Sequence, residues 1–210
     1  MIPDQIGTIS GSDNLTPGDE PVLDLMNRFD PDPRHAVQVM RLSVRLFDDL
    51  IALHGFGSTE RRILCIAALL HDIGWSVPAF PHHKASMRLI LTDETISLTT
   101  EYRCVAALIA RYHRKSHPSL NHSSFASLSP AQQNIVRWNA ALLRVADALD
   151  RSHRSLVRTI SARFTETDIL IWCGTGDGRE LPSDIEEAVL LKKTALLNEI
   201  SGRRIEVQWN

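Results

Sequence analysis

The sequence predicts a mainly α-helical fold with a small C-terminal α+β subdomain. From about residue 33 to 152, apolar residues recur at steps of three and four, as helices with one buried face require. After residue 156 the period changes to short strand-like runs with one more helical stretch among them. With 210 residues, 43% of them apolar, the chain can bury a substantial core. The division expected is a flexible tail over 1–20, a helical domain over 21–155, and a strand–strand–helix–strand unit over 156–210.

Residues 1–20 mix Gly, Ser, Asp, Asn and Pro without periodicity. Val22, Leu23, Leu25, Met26 and Phe29 suit a short helix over 21–29. A longer one is predicted over 33–53, with Asp32 as cap, Pro33 in the first turn and Gly55 as the stop. His35, Val39, Leu42, Leu46 and Leu50 mark its inward face. The next helix, 59–72, takes Ser58 as cap and Glu60 in its positive first turn. It is apolar nearly all round and therefore central. It ends on His71-Asp72, before Gly74 as a helix stop.

Residues 75–82 read as a loop, and His82-His83-Lys84 opens a helix to Leu91. A helix spans 99–113, and 116–128 is polar and loop-like, with His117 and His122 solvated. Ser129-Pro130-Ala131-Gln132 is a capping box with a first-turn proline, starting a helix over 130–152. Strands are predicted at 156–164, 168–173 and 203–208. A helix at 183–201 precedes the last of them, capped by Ser183 with Glu186 three residues on. The Gly174, Gly176 and Gly178 run is a turn-rich loop, because no helix opens on its last glycine.

The net charge of −2 predicts neither general nucleic-acid affinity nor attraction to anionic membranes. No apolar run approaches the ~20 residues of a membrane span. Residues 1–20 hold acidic groups but no Lys or Arg, unlike a signal peptide. Cys65, Cys104 and Cys173 are widely spaced, as in a reducing, cytoplasmic protein.

The chemistry sits on separate helices. An imidazole and a carboxylate side by side at the end of a buried helix, His71-Asp72, are costly unless something uses them. Together they can bind a divalent ion through nitrogen and oxygen. Further candidate ligands are His35, His83, His113 and Asp147. Candidate cations for a phosphate are Lys84, Arg111, Arg114, Arg144 and Arg151. Arg144 and Arg151 share a helix face with Asp147, which also allows plain intrahelical ion pairs.

His35, then His71-Asp72, then Asp147, on three helices, resembles the H…HD…D pattern of the HD-domain superfamily of all-α, metal-dependent phosphohydrolases. The wider text is L-L-H-D-I-G (69–74), H-K-x-S (83–86), R-Y-H-R-K (111–115) and L-L-R-V-A-D-A-L-D-R-S-H (142–153). Over residues 30–210 it looks like the C-terminal HD domain of the exopolyphosphatase/guanosine pentaphosphate phosphatase (Ppx/GppA) family. In that family the domain follows an actin-like domain bearing the phosphatase site, which this sequence does not resemble. Exopolyphosphatase activity is therefore not carried over. The family often has H-x-H-S where this chain has His83-Lys84-Ala85-Ser86, and Ala85 cannot be a ligand.

The resemblance implies a first ion held by His35, His71, Asp72 and Asp147. It implies His83 rather than His82 as the inward histidine, joining His113 at a second ion with Asp72 bridging. One or two divalent ions (Mn, Fe, Co, Ni, Zn or Mg) are expected. They would acidify a water and polarise a phosphoryl oxygen, with Asp72 and the five cations as the catalytic set. The activity implied is phosphohydrolase or phosphodiesterase chemistry on a small phosphorylated substrate of nucleotide class. The alternative is a non-catalytic nucleotide- or polyphosphate-binding regulatory module. A homodimer through the tail sheet or the 116–128 loop is allowed by the sequence.

Overall fold

The computed structural model describes residues 18–176 and 187–209. The 1–17 part of the predicted tail, Gly178 and the predicted Ser183 cap lie outside the described residues. Helices α1 (Glu20–Phe29), α2 (Pro33–Asp49), α3 (Ile51–His54), α4 (Ser58–Leu69), α5 (His82–Thr92), α6 (Thr100–Arg111), α7 (Ser123–Ala126) and α8 (Pro130–Leu149) come first. Then follow β1 (Thr159–Phe164), β2 (Asp168–Gly174), α9 (Glu187–Ser201) and β3 (Arg204–Trp209). The fold is mainly helical with a small three-stranded sheet near the C-terminus. Among the described residues no helix is long and apolar enough to cross a membrane.

The core is built round α4. Ile63 to Leu70 are all fully buried, which explains an apolar pattern without a polar face. α2, α6 and α8 pack on it through Val39, Leu42, Leu46, Val105, Ile109, Leu142 and Val145. The expected caps are in place on α2 and α8, and the structure adds one on α6. The Asp32 side chain accepts from His35 N–H, and Thr99 from Tyr102 N–H. Ser129 and Gln132 form the reciprocal box.

Several boundaries differ from the sequence expectation. The 33–53 helix breaks at Leu50 into α2 and α3, and Gly55 closes α3 in the left-handed region at φ 69°. Ser58 is the first helical residue of α4 rather than its cap. Glu60 instead reaches back to accept the Gly57 N–H. The 116–128 segment contains the short α7, because Phe125 is fully buried and pulls it inward. His122 and His117 are not simply solvated: His122 bonds the Tyr112 hydroxyl, and His117 pairs with Glu199.

The sheet order is β1-β2-β3, with β1–β2 antiparallel and β2–β3 parallel. A parallel pair needs a crossover, and α9 lies in it. The sheet is sewn to α2. Asp49 accepts the Ala162 N–H, and Arg41 donates to the carbonyls of Val157 and Arg158. α9 packs on α8, so the C-terminal unit forms one wall of the cavity described next.

Candidate metal centre

His71 and Asp72 lie just beyond α4, in a tight turn, rather than in its last helical turn. Gly74 makes that turn possible, through close approach rather than as a helix stop. A Cβ on Gly74 would stand 2.0 Å from the His82 carbonyl oxygen and 2.5 Å from the Ser86 nitrogen. Glycine therefore lets the start of α5 press against the His-Asp turn. Ser86 locks the contact, accepting the Gly74 N–H at 2.9 Å and donating to the His71 carbonyl at 2.7 Å.

Two groups of donor atoms result: His35, His71 and Asp147, and beside them Asp72, His82 and His113. In the first, His35 Nε2 and His71 Nε2 stand 3.6 and 4.0 Å from Asp147 Oδ1. In the second, His82 Nε2 and His113 Nε2 stand 3.4 and 3.6 Å from Asp72 Oδ1. His71 Nε2 is 3.6 Å from Asp72 Oδ2, which links the groups. These gaps are long for hydrogen bonds. They suit donors sharing one ion: ligands at about 2.1 Å from a metal stand roughly 3.0–3.4 Å apart.

The ring orientations agree with this. His71 Nδ1 bonds the Ala68 carbonyl at 2.7 Å, and His113 Nδ1 the Ala110 carbonyl at 2.6 Å. His35 Nδ1 bonds Asp150 Oδ2 at 2.9 Å. A back-side N–H donor fixes the tautomer and leaves Nε2 as the ligand atom. His35 Nε2, His71 Nε2 and Asp72 Oδ1 are buried without a hydrogen-bond partner. Leaving one such atom unsatisfied costs about 1–3 kcal/mol. Three of them converging in one place fit a divalent ion better than a merely structural polar cluster. Imidazole with carboxylate suits Mn, Fe, Co, Ni or Zn.

Charge is compensated from nearby. Burial pushes the Asp147 carboxyl up, but Lys193, His35 and the neighbouring imidazoles outweigh it and hold Asp147 well below the usual range. Burial also opposes ionisation of Asp72, and His71 and His113 overcome it. Burial disfavours charge on His35, yet the negative charge of the neighbouring Asp147 and Asp150 carboxylates raises it to about 10. Burial lowers His113 well below 6.5.

A cavity of about 1110 Å³ opens over both groups. Lys115 and His153, on its wall, have left-handed backbones at φ 61° and 57°. Such strain costs of order 1–3 kcal/mol per residue and collects at functional sites. His153 stacks on the His35 ring at 3.8 Å and bonds Asp32, shielding the first group from one side.

The structure brings His35, His71, Asp72, Asp147 and His113 together as the sequence suggested. It differs on His83. His82 is the inward ring, stacked on Trp75 at 4.0 Å, while His83 faces a neighbouring cavity. Adjacent helical residues point about 100° apart, so only one of the pair can face Asp72. Burial first, then Arg111, depresses His83 to about 4.

The cations divide as well. Arg114 and Arg151 line the cavity. Arg114 also donates to His82 Nε2 at 3.1 Å. Arg144 lines it too, but its guanidinium is committed to the Tyr112 and Lys115 carbonyls. It is a brace that places His113. Lys84 is exposed and Arg111 lies over the Tyr112 ring; neither lines the cavity. Asp147 pairs with Lys193 of α9 instead of Arg144 or Arg151, and Lys193 also donates to the His113 carbonyl. The sequence reading missed His82, Asp150 and Lys193. The Asp147–Asp150 spacing of three in A-D-A-L-D was the available signal for Asp150. For Lys193, on a helix 46 residues away, none existed.

Residues 19–173 match the family described as Ppx/GppA phosphatase, domain III. The chain belongs to that family. The match covers 155 of 210 residues and includes every donor of both groups. α9, with Lys193, lies beyond it. No curated protein matches the chain.

Proposed function

We propose that this chain is a metal-dependent phosphohydrolase acting on a small phosphorylated substrate of nucleotide class. The observation that carries the reading is the convergence of His35 Nε2, His71 Nε2 and Asp72 Oδ1, buried and unpartnered, with His35 and Asp72 lining an open cavity. His35, His71 and Asp147 would hold one ion, and His82 and His113 a second, with Asp72 between them. A bound divalent ion supplies Lewis acidity to a phosphoryl oxygen and acidifies water.

The chain's own residues do the rest. Asp72 lies between the groups, its two oxygens directed to different ones, and can accept a proton from a water held there. Arg151, Lys115 and Lys192 stand exposed on the cavity wall, where phosphate oxygens must pass. Arg114 is poised to exchange its contact with His82 for one with phosphate. Arg144 and Asp150 orient His113 and His35 without touching substrate.

The test is a phosphate-release screen over nucleotides, guanosine polyphosphates, cyclic nucleotides and polyphosphate with added Mn. Asp72→Ala is the control. Metal-dependent turnover that disappears in the variant supports the reading. Bound metal without turnover on any substrate favours a nucleotide- or polyphosphate-binding regulatory module instead.

A further inference from the structure

A second cavity, of about 420 Å³, opens beside the first. Its walls include Trp75, Val77, Pro78, Phe80, Pro81 and His83. Trp75, His82, Arg114 and Lys115 line both cavities, so the two are adjacent.

Trp75 is 55% exposed and Phe80 46% exposed. An indole left this open gains by covering its face. One side of Trp75 is already fixed on the His82 ring at 4.0 Å, with the planes 22° apart. The indole is therefore held at a set angle beside the metal centre. Phe80 is partly covered by the Arg88 guanidinium at 4.8 Å, which leaves Trp75 as the open platform. His83 is buried, yet among the described residues its ring nitrogens have no hydrogen-bonding partner.

We propose that this second cavity is a subsite for a planar aromatic ring of the substrate, of nucleobase class, stacked on Trp75 with its edge hydrogen-bonded by His83. This rests on the phosphohydrolase reading, which places the phosphate end of the same molecule at the metal centre. Arg114 and Lys115, at the junction, face the anionic link between the two ends. An inorganic phosphate chain has no apolar face to cover an exposed indole. A nucleobase has one, and stacking tolerates any base because every base presents a π-face.

Two phosphate donors of equal chain length test the proposal. With Mn present, the kcat/KM ratio of ATP or GTP over tripolyphosphate is expected to fall about tenfold or more in Trp75→Ala, as loss of one base–aromatic stack implies. Trp75→Phe, which keeps a ring, should lose less. An unchanged ratio overturns the subsite. A second readout needs no turnover. Adenosine or guanosine titrated into the full chain is expected to quench tryptophan fluorescence, and Trp75→Phe to remove the quench. His83→Ala should weaken the nucleoside's affinity roughly three- to tenfold, as loss of one hydrogen bond implies. Absence of any quench in the wild type overturns the proposal as well. A wild-type chain silent on both phosphate donors, with the quench intact, defeats the phosphohydrolase reading and leaves the ring subsite standing.

Discussion

His54 and His71 are both buried histidines close to a helix end, and their surroundings separate structure from chemistry. His54 Nε2 donates to the Phe47 carbonyl at 2.9 Å, and its Nδ1 accepts the Phe56 N–H at 3.1 Å. Its ring packs against Phe47, Phe56 and Trp138. Both nitrogens are satisfied by the fold. His71 is satisfied at Nδ1 alone. Its Nε2 faces two carboxylates at distances unsuited to hydrogen bonds. Burial is therefore no guide to function in a histidine. The partner count at the second nitrogen is.

Gly74→Ala should be the most damaging change, because it bears on every atom of the His71 side of this contrast. The added methyl meets backbone on two sides, so α5 must shift and carry His82 away from Asp72. A stability loss of about 3 kcal/mol or more is expected, beyond ordinary overpacking, together with loss of the second ion. Chemical denaturation and elemental analysis check both. Asp72→Ala comes next. It should remove metal and turnover, by about a hundredfold or more in rate, while the metal-free protein stays folded. Added Mn should raise the wild-type Tm, since a ligand at a hundredfold excess over Kd stabilises by ~2.7 kcal/mol. The Tm of Asp72→Ala should stay still. An equal rise in the two proteins would erase the distinction between His71 and His54.

Asp150→Asn tests the back-side support of a ring. Metal affinity, read by calorimetry, should fall by about 10–100-fold. His54→Gln should do the opposite of the Asp72 change: unaltered metal affinity, and about 1–3 kcal/mol lost in stability. The smallest effect is in pH. Burial lowers His54 below its ordinary value of 6.5. The unfolded chain takes up the proton near 6.5 and the folded chain only at lower pH. His54 therefore costs stability as pH falls below 6.5, until the folded imidazole titrates too. Thermal melts of His54→Gln between pH 7 and 5 should show a shallower acid decline than the wild type.

Local pattern alone is enough for the helical class, the late change to strands and the caps of α2 and α8. Those depend on periodicity and on side chains within three or four residues of one another. The sequence also marked His35, His71, Asp72, His113 and Asp147 as candidate ligands, and the resemblance to the HD pattern, rather than periodicity, implied that they meet; His71, Asp72 and His113 lie beyond the ends of α4 and α6. The choice between His82 and His83 needs the packed fold. Both lie in the first turn of α5, and the choice depends on the angle at which α5 meets the His-Asp turn, which a backbone contact at Gly74 sets. Nor could the sequence show that Arg144 is spent on carbonyls of the α6 end while Lys193 reaches Asp147. An ion pair between helices is set by how they pack, and no local spacing encodes it.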